Sequence, residues 1–293
     1  MSILRDNRRT VPQVVDVSTK KYNKKEIPMK KIGKKTLWFG FLLLLLGLSL
    51  AAQTEAVKPT LADVDAIMAV KTVENCKKAI EGYKLLLKDD PNNYEILYKL
   101  ADAHTYLLDI KTDGFLEEKD EHKPLLKEYG SPANDYADKA YKLKPQSKEV
   151  VASALRAYAY HSSSFGIVKA IFKGAAGHFK DLANQLIKLD DKFNGSMGYR
   201  FMGKFYFIAP WPVGSDGKAL SYFKKGIAAS KETLYSHYYA GVLYFEDDEY
   251  ELAKKEFTFV RDNPPTADEE YYFATYKQKA NEYLAKIDKK KKK

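Results

Sequence analysis

Nucleophilic or metal chemistry in this chain would fall to five histidines, one cysteine and a run of acids, and their spacing supports neither. His104, His122, His161, His178 and His237 are scattered. No two stand three or four residues apart, the interval that puts two imidazoles on one helical face as metal ligands. A single cysteine, Cys76, excludes an intramolecular disulfide framework and any Cys-rich metal site. It falls on the apolar side of a helical pattern and reads as a buried structural thiol. Asp109, Asp113, Gly114, Glu117 and Glu118 have the composition of a calcium loop without its alternation of oxygen ligands, so they read as a solvated acidic loop. The chain has no Gly-rich phosphate loop ending in Lys-Ser/Thr, no Gly-x-Ser-x-Gly turn and no His-Glu-x-x-His helix. The expectation is a protein that binds, with no catalytic residue, no metal and no cofactor.

Two segments have the chemistry of binding. The stretch from Ser162 to Phe179 is apolar and carries Gly174 and Gly177. Its Phe165, Ile167, Val168, Ile171, Phe172 and Phe179 either form a hydrophobic ligand cleft or subunit contact, or fill the core between neighbouring elements. Trp211 stands between Pro210 and Pro212. A tryptophan there is either an interface anchor or a local plug. Tyr206, with Tyr199, Tyr238 and Tyr239, either faces a binding groove or packs inward. Phe165, Ile167, Val168, Ile171, Phe172, Tyr206 and Trp211 are the candidate residues for a ligand or partner.

The elements that must position them are repeated helical hairpins. Tyr239-Ala240-Gly241 is followed by Tyr244, Ala253, Phe257, Val260 and Pro265, the order of small, aromatic and apolar positions found in a tetratricopeptide unit. The spacing has a physical cause. A small residue at Gly241 on the first helix admits Ala253 of the second, Tyr244 and Phe257 fill the space beside them, and Pro265 stops the second helix. Ala219 precedes Ala253, and Phe223 precedes Phe257, by 34 residues, the period of this repeat. Met202-Gly203 and Tyr206 match Ala240-Gly241 and Tyr244. Upstream, Ala79, Tyr83, Leu86 and Pro91 read as a second helix, and Leu100-Ala101 with His104 as a first. Ala133, Ala137, Ala140 and Pro145 then form another second helix, followed by Val151, Ala154, Leu155 and Tyr158, and by Ala183, Leu186 and Ile187. The segment Glu269–Ile287 suits a capping helix. The expected fold is all-α: about four helix pairs stacked as a tetratricopeptide-like solenoid with inserted loops and a C-terminal cap.

Charge and hydropathy divide the chain. Residues 1–52 carry a net +8 and Lys289–Lys293 a further +5, leaving residues 53–288 at −3 within the total of +10. A general polyanion-binding face is therefore not expected, and nucleic acid is not an expected partner. Within residues 29–52 a basic stretch, the apolar run Leu37–Ala52 and small residues form the three parts of a secretory signal. The run is shorter than the roughly 20 residues that span a bilayer comfortably. Cleavage near Ala51 is the first expectation, giving a periplasmic or secreted protein. A retained signal anchor, and hence a membrane association, is the second. Residues 1–28 read as a disordered basic extension or a mis-assigned start before Met29, residues 57–288 as the repeat domain, and 289–293 as a lysine tail.

Two irregular segments add a resemblance. Ser162–Val168 with Phe172, Gly174 and Gly177 forms one. Met202-Gly203-Lys204-Phe205-Tyr206 leading to Ala209-Pro210, Gly214-Ser215-Asp216-Gly217-Lys218-Ala219-Leu220 and Phe223 forms the other. This layout resembles the T-component family of periplasmic TRAP transporters over about residues 70–285, its specific motif covering about 22 of them. The resemblance implies a helical-repeat protein that oligomerises around a pore and is linked to periplasmic solute-binding proteins. It implies no catalytic residue. Unlike lipidated members, this chain has no acceptor cysteine near Ala51. The implied partner is a periplasmic solute-binding protein, and the apolar insertion adds a hydrophobic solute as the other expected partner. A homo-oligomer is a further expectation and a cell-envelope scaffold the alternative role.

Overall fold

A computed structural model describes residues 58–114, 119–166, 169 and 174–290. The signal segment, the basic extension before it, and Ile167, Val168, Ile171 and Phe172 lie outside these residues, as do Glu117, Glu118 and Lys291–Lys293. Among the described residues eleven longer helices follow one another: α1 Leu61–Met68, α2 Val73–Leu87, α3 Tyr94–Lys111, α4 Ser131–Leu143, α5 Lys148–Ser163, α6 Ala175–Leu189, α7 Phe193–Ile208, α8 Asp216–Ala229, α9 Leu234–Glu246, α10 Tyr250–Asp262 and α11 Phe273–Lys290. Short turns between Asp120 and Gly130 lead into α4. Each helix packs on the next in sequence, and α3 also packs on α5. The result is an all-α solenoid of tetratricopeptide-like hairpins, with pairs α3–α4, α5–α6, α7–α8 and α9–α10 between the α1–α2 hairpin and the cap α11.

Local chemistry sets the boundaries. Thr60, Thr72, Asn93, Ser147 and Ser215 cap α1, α2, α3, α5 and α8 by accepting from backbone N–H groups of the first turn. Inside the pairs, Ala79, Ala133, Ala137, Ala140, Ala183, Ala219 and Ala253 are all within 1% of complete burial, because a methyl group is what lets two helices approach. Gly203 and Gly241 do the same work on the first helices, facing the rings of Phe223 and Phe257. Phe223 stacks on Tyr239, with centroids 5.4 Å apart, so one repeat's second helix locks against the next repeat's first. Tyr238 and Tyr239 are core residues, 4% and 2% exposed. Cys76 is fully buried, and burial pushes its thiol up to about 11.

One boundary differs from the sequence expectation, and one helix opens on an irregular turn. The cap begins at Phe273, and Glu269 belongs to the turn before it. In α7 the residues Asn194, Gly195 and Ser196 are left-handed, with φ of 45°, 60° and 61°, so regular helix starts only at Met197. The Arg200 guanidinium closes that turn by donating to the Asn194 carbonyl at 2.5 Å.

His104 is a polar side chain held in this apolar interior. It sits on α3 between the rings of Tyr129 and Tyr136, 5% exposed, and neither ring nitrogen has a hydrogen-bond partner among the described residues. Burial pushes its imidazole down to about 4. Its folded value lies below the ordinary 6.5, so the ring carries no protonation penalty above pH 6.5 and costs progressively more stability as pH falls toward 4. His104→Leu is therefore expected to stabilise the protein at neutral pH by about 1–2 kcal/mol, the cost of the orphaned nitrogens. The advantage should widen by about 2 kcal/mol near pH 4.5. Urea denaturation of both proteins at the two pH values checks it, and an advantage that narrows on acidification would contradict the assignment.

Candidate functional site

The first helices of successive pairs turn one face toward a common interior, and there they wall a cavity of about 150 Å³. Asp109 comes from α3, Arg156, Tyr158 to Tyr160, Ser162 and Ser163 from α5, Arg200, Phe201, Lys204, Phe205 and Ile208 from α7, and Tyr235 from α9. The start of α6, through Ala175, Ala176 and Phe179, and Asp268, Tyr271 and Tyr272 of the turn before α11 complete the wall. A volume of this order accommodates a small aromatic molecule.

The wall has an apolar side and a polar side. On the apolar side Phe179 stacks on Phe205 and Phe201 at centroid distances of 5.4 and 6.3 Å. On the polar side the charges are buried. Arg156 is 6% exposed and sits in α5 where every residue from Val150 to Ala157 is buried. Its guanidinium lies over the Tyr106 ring, 4.7 Å from the centroid. No carboxylate among the described residues reaches within the 4 Å of an ion pair. Burial opposes the charge, but the nearby Tyr106, Tyr271, Asp109 and Asp102 outweigh that cost and hold the guanidinium protonated. Asp109, 5% exposed, accepts from the hydroxyls of Tyr160 and Tyr271, the latter at 2.8 Å. Burial pushes its carboxyl up to about 6, against the opposing pull of Arg156. Arg200 is 5% exposed, lies 3.6 Å from Glu269 and leaves its Nε without a hydrogen-bond partner among the described residues. The site can therefore hold a small, largely apolar solute and offer it a few fixed polar groups. Among the described residues it aligns no nucleophile with a base, and no cluster of three or more His, Cys, Asp or Glu is placed to hold a metal ion.

The sequence-predicted residues fall in different places. Phe165 is 48% exposed, with its ring edge on His161 at 5.2 Å, at the start of the α5–α6 connection and outside the cavity wall. Ile167, Val168, Ile171 and Phe172 continue that connection beyond the described residues. Phe179, at its far end, lines the cavity. Tyr206 turns away from the cavity and stacks on Tyr222, 5.6 Å between centroids. Trp211 is 90% exposed, which excludes a local plug. Asp109 corrects the acidic-loop reading, because it is neither in a loop nor solvated. Arg156 and Arg200 are functional candidates that spacing alone misses. Their one signal in the sequence is an arginine amid alanines and aromatics at core register positions of a first helix.

No protein-family model matches the chain, and no curated protein matches it. Solved structures do. A thermophilic TPR protein of Thermus thermophilus is 14% identical, with 73% of this chain and 96% of that one covered and a TM-score of 0.51. MamA is 21% identical over 74% of this chain and 92% of its own, with a TM-score of 0.40. At 14% identity the likeness to the Thermus thermophilus protein establishes the tetratricopeptide-type fold and nothing about ligand or partner.

Proposed function

We propose that this chain is a non-catalytic binding protein that seats a small, predominantly apolar solute in the cavity between its first helices, and that it does so in the service of a TRAP-type solute transporter. Helical-hairpin solenoids serve widely as interaction modules, because stacked pairs bury a continuous core and leave an inner face for partners. The observation that carries the solute reading is the aromatic wall facing buried, positioned charges across about 150 Å³. That is how small-molecule sites are built: apolar surface for affinity, a few convergent polar groups for orientation. The transporter reading rests on the resemblance of the 202–223 segment. An extracytoplasmic setting rests on the three-part signal at residues 29–52, which also leaves an envelope scaffold as the second reading if that segment is retained.

The test of the site is binding of indole, a probe of suitable size, to the full chain by calorimetry. Ala159→Trp, which fills the cavity from α5, is expected to lower indole affinity at least tenfold, about 1.4 kcal/mol. Its far-ultraviolet circular dichroism should be unchanged, and Ala176→Trp from the opposite wall is expected to act alike. Absence of saturable binding, or binding that both filled variants retain, would overturn the site. The transporter reading is tested separately by capture from periplasmic extract, where failure to recover a transporter subunit or a solute-binding protein counts against it.

A further inference from the structure

We infer that the surface carrying Trp211, Lys218, Lys224 and Lys225 docks on an anionic lipid surface. The inference is independent of the cavity. Trp211 is the most exposed large apolar side chain among the described residues, at 90%. The loop that presents it is a built one. Val213 and Gly214 donate to the Pro210 carbonyl at 3.0 and 2.9 Å, and Ser215 donates to the Tyr206 carbonyl at 3.0 Å. A side chain at position 214 could not be accommodated, since its Cβ would lie 1.8 Å from the Ala209 carbonyl oxygen.

The loop closes on Tyr206, and Tyr206 begins a patch of stacked rings covered by ammonium groups. Lys180 and Lys218 lie over the Tyr206 ring at 5.7 and 5.4 Å, and Lys225 lies over its stacking partner Tyr222 at 5.2 Å. The rings support the lysine stems and leave the charges outward. No carboxylate among the described residues pairs within 4 Å with Lys180, Lys218, Lys224 or Lys225. The charge is concentrated in the sequence as well: residues 196–231 hold six Lys or Arg and one acid, Asp216, although the body as a whole is acidic.

Two kinds of anionic partner fit that charge, a lipid surface and an acidic protein, and composition separates them. Lysine is depleted at protein–protein contacts, whose anchors sit in fitted pockets. Here the relief along α8 is a shallow, open depression between Gly217, Leu220, Ser221, Lys224, Lys225 and Ala228. An exposed tryptophan beside tyrosines and lysines is instead the composition of a membrane–water interface. Each lysine near an anionic leaflet strengthens partitioning roughly fivefold, so three together contribute about a hundredfold.

The chain has two tryptophans, Trp38 and Trp211. In a Trp38→Phe background the emission of the full chain reports Trp211 alone. With vesicles containing about 30% phosphatidylglycerol, that emission is expected to shift to shorter wavelength and to be quenched by brominated phospholipid. Phosphatidylcholine vesicles should have no effect. The response should vanish in high salt and in the combined variant Lys218→Glu, Lys224→Glu, Lys225→Glu, whose exposed positions leave the circular dichroism unchanged. Three outcomes would overturn the inference. Trp211 could stay water-like while the chain sediments with the vesicles, which would place the membrane contact elsewhere. Its quenching could be indifferent to charge reversal. Or it could respond to soluble polyglutamate and not to vesicles, which would make the partner an acidic protein.

Discussion

Replacing Glu269 by alanine is expected to cost about 3–5 kcal/mol of stability, the range for stripping one partner from a buried, hydrogen-bonded charge. Glu269 is 1% exposed. One carboxylate oxygen accepts from the Tyr235 N–H at 2.9 Å and the Thr233 hydroxyl at 3.1 Å. The other accepts from the Leu234 N–H at 3.2 Å and the Thr266 hydroxyl at 3.0 Å. Glu269 thus caps α9 from outside the helix, in place of the N-terminal residue Thr233, whose hydroxyl donates to Glu269 and caps nothing itself. The carboxylate also faces the N-terminal end of the helix dipole and the Arg200 guanidinium at 3.6 Å. Removal uncaps α9, leaves Arg200 without its counter-charge and loosens the turn that brings Tyr271 to Asp109. Glu269→Gln, which keeps one acceptor oxygen but adds a donor facing N–H groups, should lose roughly half as much. Urea unfolding measures the cost, and hydrogen exchange at Leu234 and Tyr235 should accelerate selectively. A loss below about 1 kcal/mol would show that the cap is redundant.

The two equivalent glycines are expected to behave unequally. A Cβ at Gly203 would meet three ring atoms of Phe223 at 2.6, 2.7 and 2.9 Å, whereas a Cβ at Gly241 would meet Phe257 at 3.0 to 3.1 Å. Alanine brings back about 1 kcal/mol of helix propensity at either site. At Gly241 a shift of a few tenths of an ångström relieves the contact, so Gly241→Ala should be nearly neutral. At Gly203 the ring must move bodily, and Phe223 is held by its stacking on Tyr239. Gly203→Ala should cost about 1–2 kcal/mol net, and Gly203→Val more than about 3 kcal/mol, because overpacking grows with each added methyl group. Chemical denaturation of the three variants beside the parent protein settles the order. Equal effects at 203 and 241 would mean that the inter-helix gap is softer at Phe223 than its packing implies.

Much of the fold is legible along the chain because hairpin packing is a local problem. Ala219 with Phe223 and Ala253 with Phe257 recur at one period, and each solves the same close approach of neighbouring helices. The cavity is not legible in the same way. The insertion is a fair pointer, since Phe179 and the flanking Ser162, Ser163, Ala175 and Ala176 do line it. Asp109 reads as a loop residue because an acid followed by Asp113 and Gly114 has a loop's composition. Its hydroxyl donors come from Tyr160 and from Tyr271, 162 residues away. Glu269 reads as part of the cap because an acidic residue before a helix ordinarily belongs to its first turn.

The sequence by itself determined the helical repeats, their register, the proline-rich loop that displays Trp211 and the division of charge between ends and body, since each depends on side-chain size or charge at short intervals. Only the tertiary structure decided which charges are buried and what they face. Arg156, Arg200, Asp109 and Glu269 meet partners from other repeats, and burial and counter-charge depend on the superhelical stacking that brings distant turns together. A spacing rule sees the neighbours of a residue along its helix, while the energy of a buried charge is set by what lies across the interior.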